Sequence, residues 1–380
     1  MTSFIEKLIL TNYRVYENTK FSFQKNINII YGKNGIGKTN ILEAISFLTP
    51  GKGLLNANIG DILKITDIYN ANYNWTIFAN IKNNDIADTL SVFSENDNGV
   101  LKKKIKINNN LSRSQEELNK IFNIIWLTPD MQTLFSGEKT NRRKFLDRIV
   151  YITDNNHSSR VAKYEFLVKE RMKVLQDNKK FDESWLNVLE EKIAETGISI
   201  AVARNETIRH LNRILANYDF NFPKFIITID GKFENLLLDN ITSLKAEEEF
   251  RKVLKINRQQ DNDTKRTTEG VHKSDLRLFY QTKNMDAQFC STGEQKLFLI
   301  SFTILKALLC KELRKAQPII LLDEVFSYLD KNKKMELFNE LLKLDVQSFI
   351  TGTDITIFED ILKQNKNNVN LLDLEGLLNN

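Results

Sequence analysis

Asn28-Ile29-Ile30-Tyr31-Gly32-Lys33-Asn34-Gly35-Ile36-Gly37-Lys38-Thr39-Asn40-Ile41-Leu42-Glu43-Ala44 decides the reading of this 380-residue chain. Asn28 to Tyr31 form a short apolar strand, a glycine loop follows, and a helical pattern starts at Thr39. Gly32 to Thr39 fits G-x-x-x-x-G-K-[ST] at every fixed position, in the strand–loop–helix context that the motif requires. The chemistry accounts for the spacing. Glycines let consecutive backbone N–H groups face phosphate oxygens with no side chain in the way. The following helix presents the positive end of its dipole to the same anion. Lys38 is placed to neutralise the β- and γ-phosphates, and the Thr39 hydroxyl to complete a magnesium shell. Gly32, Lys33, Asn34, Gly35, Ile36, Gly37, Lys38, Thr39 and Asn40 are therefore the expected nucleotide-binding residues, with ATP and Mg2+ as cofactors.

Working outward, Ile319-Ile320-Leu321-Leu322-Asp323-Glu324 reads as the second half of that site. Four apolar residues make a buried central strand, and two carboxylates emerge at its C-terminal end, where α/β sheets bind ligands. Asp323 is expected to hold the metal. Glu324 is expected to polarise the attacking water as general base, so Glu324 and Lys38 are the candidate catalytic pair. Ser291-Thr292-Gly293-Glu294-Gln295 opens a long apolar helix about thirty residues earlier. Alone it is a helix N-cap. Placed before an Asp-Glu strand, it has the order of the signature motif of ATP-binding-cassette ATPases. In that class the motif caps the γ-phosphate held by a second head, so Ser291, Gly293 and Gln295 are expected to act in trans. Asp330 falls in the loop that crosses the same interface, and ATP becomes the glue of a homodimer. No glutamine stands out as a Q-loop residue; Gln132 is the candidate.

The rest of the chain supplies the frame. Leu8 to Leu10, Phe21 to Phe23, Trp75 to Ile81, Thr89 to Phe93 and Lys103 to Ile107 read as strands, and Ser114 with Glu117 as a capping pattern. From Thr140 the spacing of Val161, Tyr164, Val168, Arg171 and Leu175 turns helical, and a helix over Ser184 to Asn217 extends roughly 50 Å. Phe225 to Ile229 is strand, Glu247 to Leu254 helix, and Asn257 to Gly270 loop. The last third alternates helix and strand, the wiring of a mostly parallel sheet. The predicted fold is α/β: an ABC/SMC-like P-loop ATPase head with a mixed sheet and an inserted helical arm subdomain. Its expected parts are residues 1–138 (N-terminal head), 139–256 (arm) and 257–380 (C-terminal head).

Composition narrows the class without naming a partner. The 42% hydrophobic and 27% charged residues exclude a disordered or collagen-like chain. A net charge of +5 is too weak to point to nucleic acid by itself. Cys290 and Cys310 exclude a disulfide framework and fit a reducing cytosol. The start of the chain does not read as a signal peptide. The longest apolar run, Leu297 to Cys310, contains Lys306 and falls short of the roughly 18 residues a membrane span needs. A soluble, cytoplasmic protein with no membrane partner is expected. His157, His210 and His272 are too scattered for a metal site.

Four further blocks make the likeness specific. Leu8-x-Leu10-x-Asn12-Tyr13-Arg14, Leu127-Thr128-Pro129-Asp130, Arg142-Arg143-Lys144-Phe145-Leu146-Asp147 and Gly270-Val271-His272-Lys273-Ser274-Asp275, with the motifs above, resemble the RecF family of bacterial recombination and replication-repair ATPases. The resemblance runs from residue 5 to about 355. It departs at Gly51-Lys52-Gly53-Leu54-Leu55, where the family has Gly-Arg-Ser-Phe-Arg, at Glu294 for Gln, and at Val271 and Lys273 for Pro and Arg. Thr353 stands where transporter ATPases place a sensing histidine. The resemblance implies a protein that binds double-stranded and gapped DNA and dimerises with ATP. It also implies slow hydrolysis, help to RecR and RecO in loading RecA, and association with the nucleoid. Lys102, Lys103, Lys104, Arg142 and Arg143 are the candidate phosphate contacts, each with a solvated face or an internal ion pair as the alternative. Two other readings stay open: an ATPase scaffold whose DNA contact is made by partner proteins, and a non-DNA cassette ATPase.

Overall fold

The computed structural model describes residues 3–64, 74–83, 86–97, 100–112, 117–118, 121, 123–176, 183–219, 221–239, 241–314 and 318–378. The capping pattern expected at Ser114 lies outside them. The chain divides into two compact units, Met1–Met131 with Phe302–Asn380, and Gln132–Ser301.

The first unit opens with β1 (Ser3–Tyr13), β2 (Tyr16–Ser22), β3 (Ile27–Tyr31) and α1 (Lys38–Ser46). It continues through β4 (Thr76–Asn83), β5 (Ile86–Asp97), β6 (Val100–Ile107), β7 (Asn110–Leu111) and β8 (Ile124–Leu127). Six of these strands form an antiparallel sheet in the order β2-β1-β4-β5-β6-β7. Ile5 is buried on β1, yet so are Leu8 and Leu10, which strict alternation would turn outward. A bulge between Ile5 and Lys7 supplies the extra residue that resets the parity.

The second unit holds α2 (Lys139–Thr153), α3 (His157–Gln176), α4 (Glu183–Asn217), β9 (Phe225–Asp230), α5 (Lys232–Leu238) and α6 (Ser243–Ile256). After these come α7 (Arg258–Thr264), β10 (Asp275–Tyr280), β11 (Met285–Asp286) and the start of α8 (Thr292–Arg314). The long helix expected over Ser184 to Asn217 is the spine of a core of its own. Ile193, Ala194, Ile198 and Ala201 of α4 pack with Phe233, Phe250 and Leu254. Gly197 makes that approach possible, because a Cβ there would stand 2.6 Å from the Phe250 ring. The stretch Asn257 to Gly270, read as loop, contains α7. Its buried Asp261 ties that helix to Arg171 at 2.7 Å, a tertiary ion pair that polar composition does not reveal. β10 pairs with β9, so residues after 256 belong with the helices before them, whereas the sequence reading set a boundary at 256/257.

Two sequence blocks meet inside this unit. Arg142 donates from Nε and Nη2 to the two carboxylate oxygens of Asp275, at 2.7 and 2.9 Å. Arg204, fully buried, donates to both oxygens of Asp147, to Glu234 Oε1 at 2.9 Å and to the Val271 carbonyl. Removing one member of a buried ionic cluster strands the others in low dielectric. Arg204→Met is therefore expected to cost about 3–5 kcal/mol. A thermal midpoint indistinguishable from the parental protein would contradict that.

The chain then returns through the rest of α8 to β12 (Ile319–Leu322), α9 (Lys331–Leu344), β13 (Ser348–Gly352), α10 (Glu359–Asn365), β14 (Val369–Asp373) and α11 (Leu374–Leu378). Five strands form a wholly parallel sheet in the order β14-β3-β13-β12-β8. Its central strands β12 and β13 are buried along their whole length, as parallel strands covered on both faces must be. Gln347 links the two sheets of the unit: its amide exchanges two 2.8 Å hydrogen bonds with the Ile5 backbone, as a strand partner would. No helix among the described residues is long and apolar enough to cross a membrane.

Candidate nucleotide site and signature turn

The parallel sheet positions the first site. β3 and β12 flank β13, so the loop after β3 and the carboxylates after β12 open on the same C-terminal edge. Gly37 caps α1 with φ 112°, a conformation reserved in practice for glycine. A Cβ there would also stand 2.6 Å from the Tyr16 hydroxyl, which itself donates to the Gly37 carbonyl at 3.0 Å. Tyr16 thus braces the loop from β2, a role that no local pattern announces.

Lys38 is buried, and its Nζ donates to the carbonyls of Gly32 and Lys33 at 2.6 and 3.0 Å. Burial pulls its pKa below the ordinary lysine value, while Glu324, Asp323 and Glu375 push the other way. Glu324 Oε1 lies 4.0 Å from that ammonium. Thr39 Oγ1 stands 3.1 Å from both carboxylate oxygens of Asp323. Burial raises the Asp323 pKa, against hydrogen bonds from Thr351 and Thr39 and the charge of Lys38. Asn34 and Gly35 form the exposed crest of the loop, Ile36 packs against the core, and the Asn40 N–H closes the first helical turn onto the Gly37 carbonyl.

Other features of this site escaped local reading. Glu375 of α11 accepts from the Lys33 N–H at 3.0 Å and pairs with its ammonium, so this short helix holds the loop's edge. Arg14 and Glu43, both inside quoted motifs, form a bidentate pair at 2.8 and 2.6 Å that fastens α1 to the end of β1. The signal was present in those motifs, but the pairing was not. Thr351 of β13 donates its hydroxyl to the Asp323 carboxylate and accepts the Glu324 N–H, whereas Thr353 lies just beyond that strand.

In the second unit, Ser291 and Gly293 are exposed at the start of α8, and nothing lies within 4 Å of the place a Gly293 Cβ would take. Ser291 donates to Glu294 Oε2 at 2.8 Å, and Glu294 Oε1 pairs with Lys283 at 2.6 Å. Lys283 and Ser291 together hold the Glu294 carboxyl below the ordinary glutamate range. Gln295, expected beside Ser291 as a trans contact, is instead buried. Its amide donates to the carbonyls of Gln288 and Cys290, bracing the turn from within. In the first unit, Asp330 caps α9 by accepting from the Lys333 N–H at 2.9 Å.

The basic clusters are largely engaged. Every nitrogen of the buried Arg142 guanidinium is donating, to Asp275, Phe135 and Gly137, so this residue is withdrawn as a phosphate contact. Lys103 is withdrawn for a similar reason. Its ammonium donates to the Thr49 and Gly51 carbonyls and lies 5.1 Å from the Phe47 ring centroid, and burial lowers its pKa to about 8. Lys102 and Lys104 pair with Asp97 and Glu95 at 2.6 and 3.4 Å, and Arg143 donates to the Ser274 carbonyl.

A buried lysine and a hydroxyl at the start of α1, facing two carboxylates from the next strand but one of a parallel sheet, define a P-loop ATPase. The family model for an AAA domain matches residues 7–379. The DNA replication and repair protein RecF of Rickettsia canadensis is 37% identical over 361 residues, covering 94% of this chain and 96% of its own. RecF of Mesorhizobium japonicum is 36% identical over 364 residues, covering 94% and 93%. A solved structure of the recombination mediator protein RecF-ATPrS in the RecFOR pathway shares the fold, with a TM-score of 0.82 over 94% of each chain at 22% identity. The chain belongs to the RecF family of DNA replication and repair proteins.

Proposed function

We propose that the chain is an ATP-dependent DNA clamp of the RecF type, working in the cytoplasm on the nucleoid. The observation that carries the reading is the convergence of Lys38, Thr39, Asp323 and Glu324 on one sheet edge. The loop binds the triphosphate of ATP, and Lys38 transfers its hydrogen bonds from the Gly32 and Lys33 carbonyls to phosphate oxygens. Thr39 and Asp323 would hold Mg2+. They fit it, because a hydroxyl and one carboxylate are the hard oxygen donors such a site takes from protein, the remainder coming from phosphates and water. Bound magnesium supplies charge neutralisation on the phosphates. Glu324, partly exposed beside Lys38, accepts the proton of the attacking water. Ser291 and Gly293 of a second copy cap the same nucleotide, so that ATP closes a homodimer on double-stranded DNA beside a gap. With RecR and RecO, the closed dimer assists RecA loading.

The test is binding of Glu324→Gln protein to gapped duplex DNA with and without ATP–magnesium, at two stated salt concentrations, because phosphate contacts dominate such affinities. ATP-dependent binding that Ser291→Arg removes is the expected result. The internal engagement of Arg142 and Lys103, with Lys102 and Lys104 in surface ion pairs, favours one alternative, a scaffold whose partners touch the DNA. Intact ATP binding with no DNA affinity in either state would select that alternative.

A further inference from the structure

β13 lies between the strand that leads into the phosphate loop and the strand that ends in the two carboxylates, and its fourth residue is Thr351. In register, Leu322 stands opposite Ile350, so Thr351 falls beside Asp323, the first residue beyond the β12 ladder. The fully buried Thr351 hydroxyl donates to Asp323 Oδ1 at 2.7 Å and accepts the Glu324 N–H at 2.8 Å. The direction is fixed: the N–H can only donate, so the single hydroxyl proton goes to the carboxylate. We propose that Thr351 is a positioning residue for ATP hydrolysis, one hydroxyl setting both the metal-binding carboxylate of Asp323 and the backbone from which Glu324 projects.

The Glu324 backbone shows why such a device is needed. Its φ of 53° lies in the left-handed region, which a residue with a β-carbon holds only when its surroundings enforce it. Beyond the ladder, the Thr351 hydroxyl gives the Glu324 N–H its partner, and the Ser327 N–H holds the Glu324 carbonyl at 3.2 Å. Both peptide groups flanking the strained residue are thereby tied down, and the side chain is aimed toward Lys38. On Asp323, Thr351 engages Oδ1 alone, while Thr39 lies at equal distance from Oδ1 and Oδ2. The carboxylate is therefore held by one oxygen from the sheet side, with the other left toward the loop. Valine at 351 keeps the β-branched shape that suits a strand and puts a methyl group in place of the hydroxyl.

This inference rests on the reading of Asp323 and Glu324 as hydrolytic residues, and the experiment separates the two. Steady-state hydrolysis by the full chain is compared for the parental protein, Thr351→Val, Thr351→Ser and Lys38→Met. Misplacing a reacting group by about an ångström costs on the order of a hundredfold. Thr351→Val is therefore expected to lower kcat by about 10- to 100-fold with KM for ATP within about twofold, and Thr351→Ser to recover most of the loss. Should the valine protein not fold, Thr351→Cys, similar in size and a weak donor, replaces it with the same expectation. A kcat for the valine or cysteine variant within about threefold of parental overturns the proposal, as does a loss that serine does not relieve. Parental hydrolysis that Lys38→Met leaves intact would instead sink the hydrolytic reading itself, by a result that does not involve Thr351.

Discussion

Lys38→Met is expected to weaken ATP binding by about a hundredfold or more. Lys38 is the one cation buried within the loop, and its ammonium already makes two short hydrogen bonds to loop carbonyls, at 2.6 and 3.0 Å. The nucleotide phosphates are stronger acceptors, since hydrogen bonds between charged partners are worth about 1.5–3 kcal/mol each. Losing one such contact at full strength, or two weaker ones, is about 3 kcal/mol, and each 1.4 kcal/mol is tenfold in affinity. Burial strengthens the argument, because it removes the water that would screen the charge. Methionine keeps the apolar part of the side chain and removes the ammonium together with its two hydrogen bonds to the loop. Calorimetric titration with ATP–magnesium checks this; affinity within about threefold of parental would refute the phosphate-loop assignment.

The two halves of the site were legible in the sequence for a physical reason. A phosphate loop is local: strand, glycines, lysine and helix are contiguous, so the chemistry is written within about a dozen positions. The same holds for Asp323 and Glu324 after four apolar residues. What the sequence left dark is what contacts across the chain decide. Thr351 matters only because β13 lies between β3 and β12, and strand order is not a local property. Glu375 touches Lys33 from the far end of the chain, and Tyr16 braces Gly37 from a different sheet. Arg142 shows the opposite error. A run of basic residues looks like a surface for phosphate, yet this guanidinium is buried on Asp275, and the two members of the pair lie in two separate family blocks. Each block was visible as a pattern; that they are partners was not. α7 escaped because its amphipathic signal is a single buried aspartate rather than an apolar stripe.

Glu324→Gln is expected to lower kcat by about 10²- to 10⁴-fold, the range a positioned general base contributes, while ATP binding is kept. Glutamine has the shape of the glutamate, and the main-chain contacts that hold this position at φ 53° come from its own N–H and carbonyl, which the substitution does not alter. What it removes is a basic oxygen 4.0 Å from the Lys38 ammonium, at the open edge of the sheet. It also removes one negative charge from the place the γ-phosphate approaches, so affinity for ATP should hold or rise. This separates the base from the lysine: Lys38→Met is read in Kd, Glu324→Gln in kcat. It separates Glu324 from Thr351 as well, because the Thr351→Val protein retains the basic oxygen and loses only its aim, predicting the smaller of the two kcat effects. A Glu324→Gln enzyme that turns over ATP within about threefold of parental would remove Glu324 as the base. Equal losses in kcat and in ATP affinity would place it in binding instead.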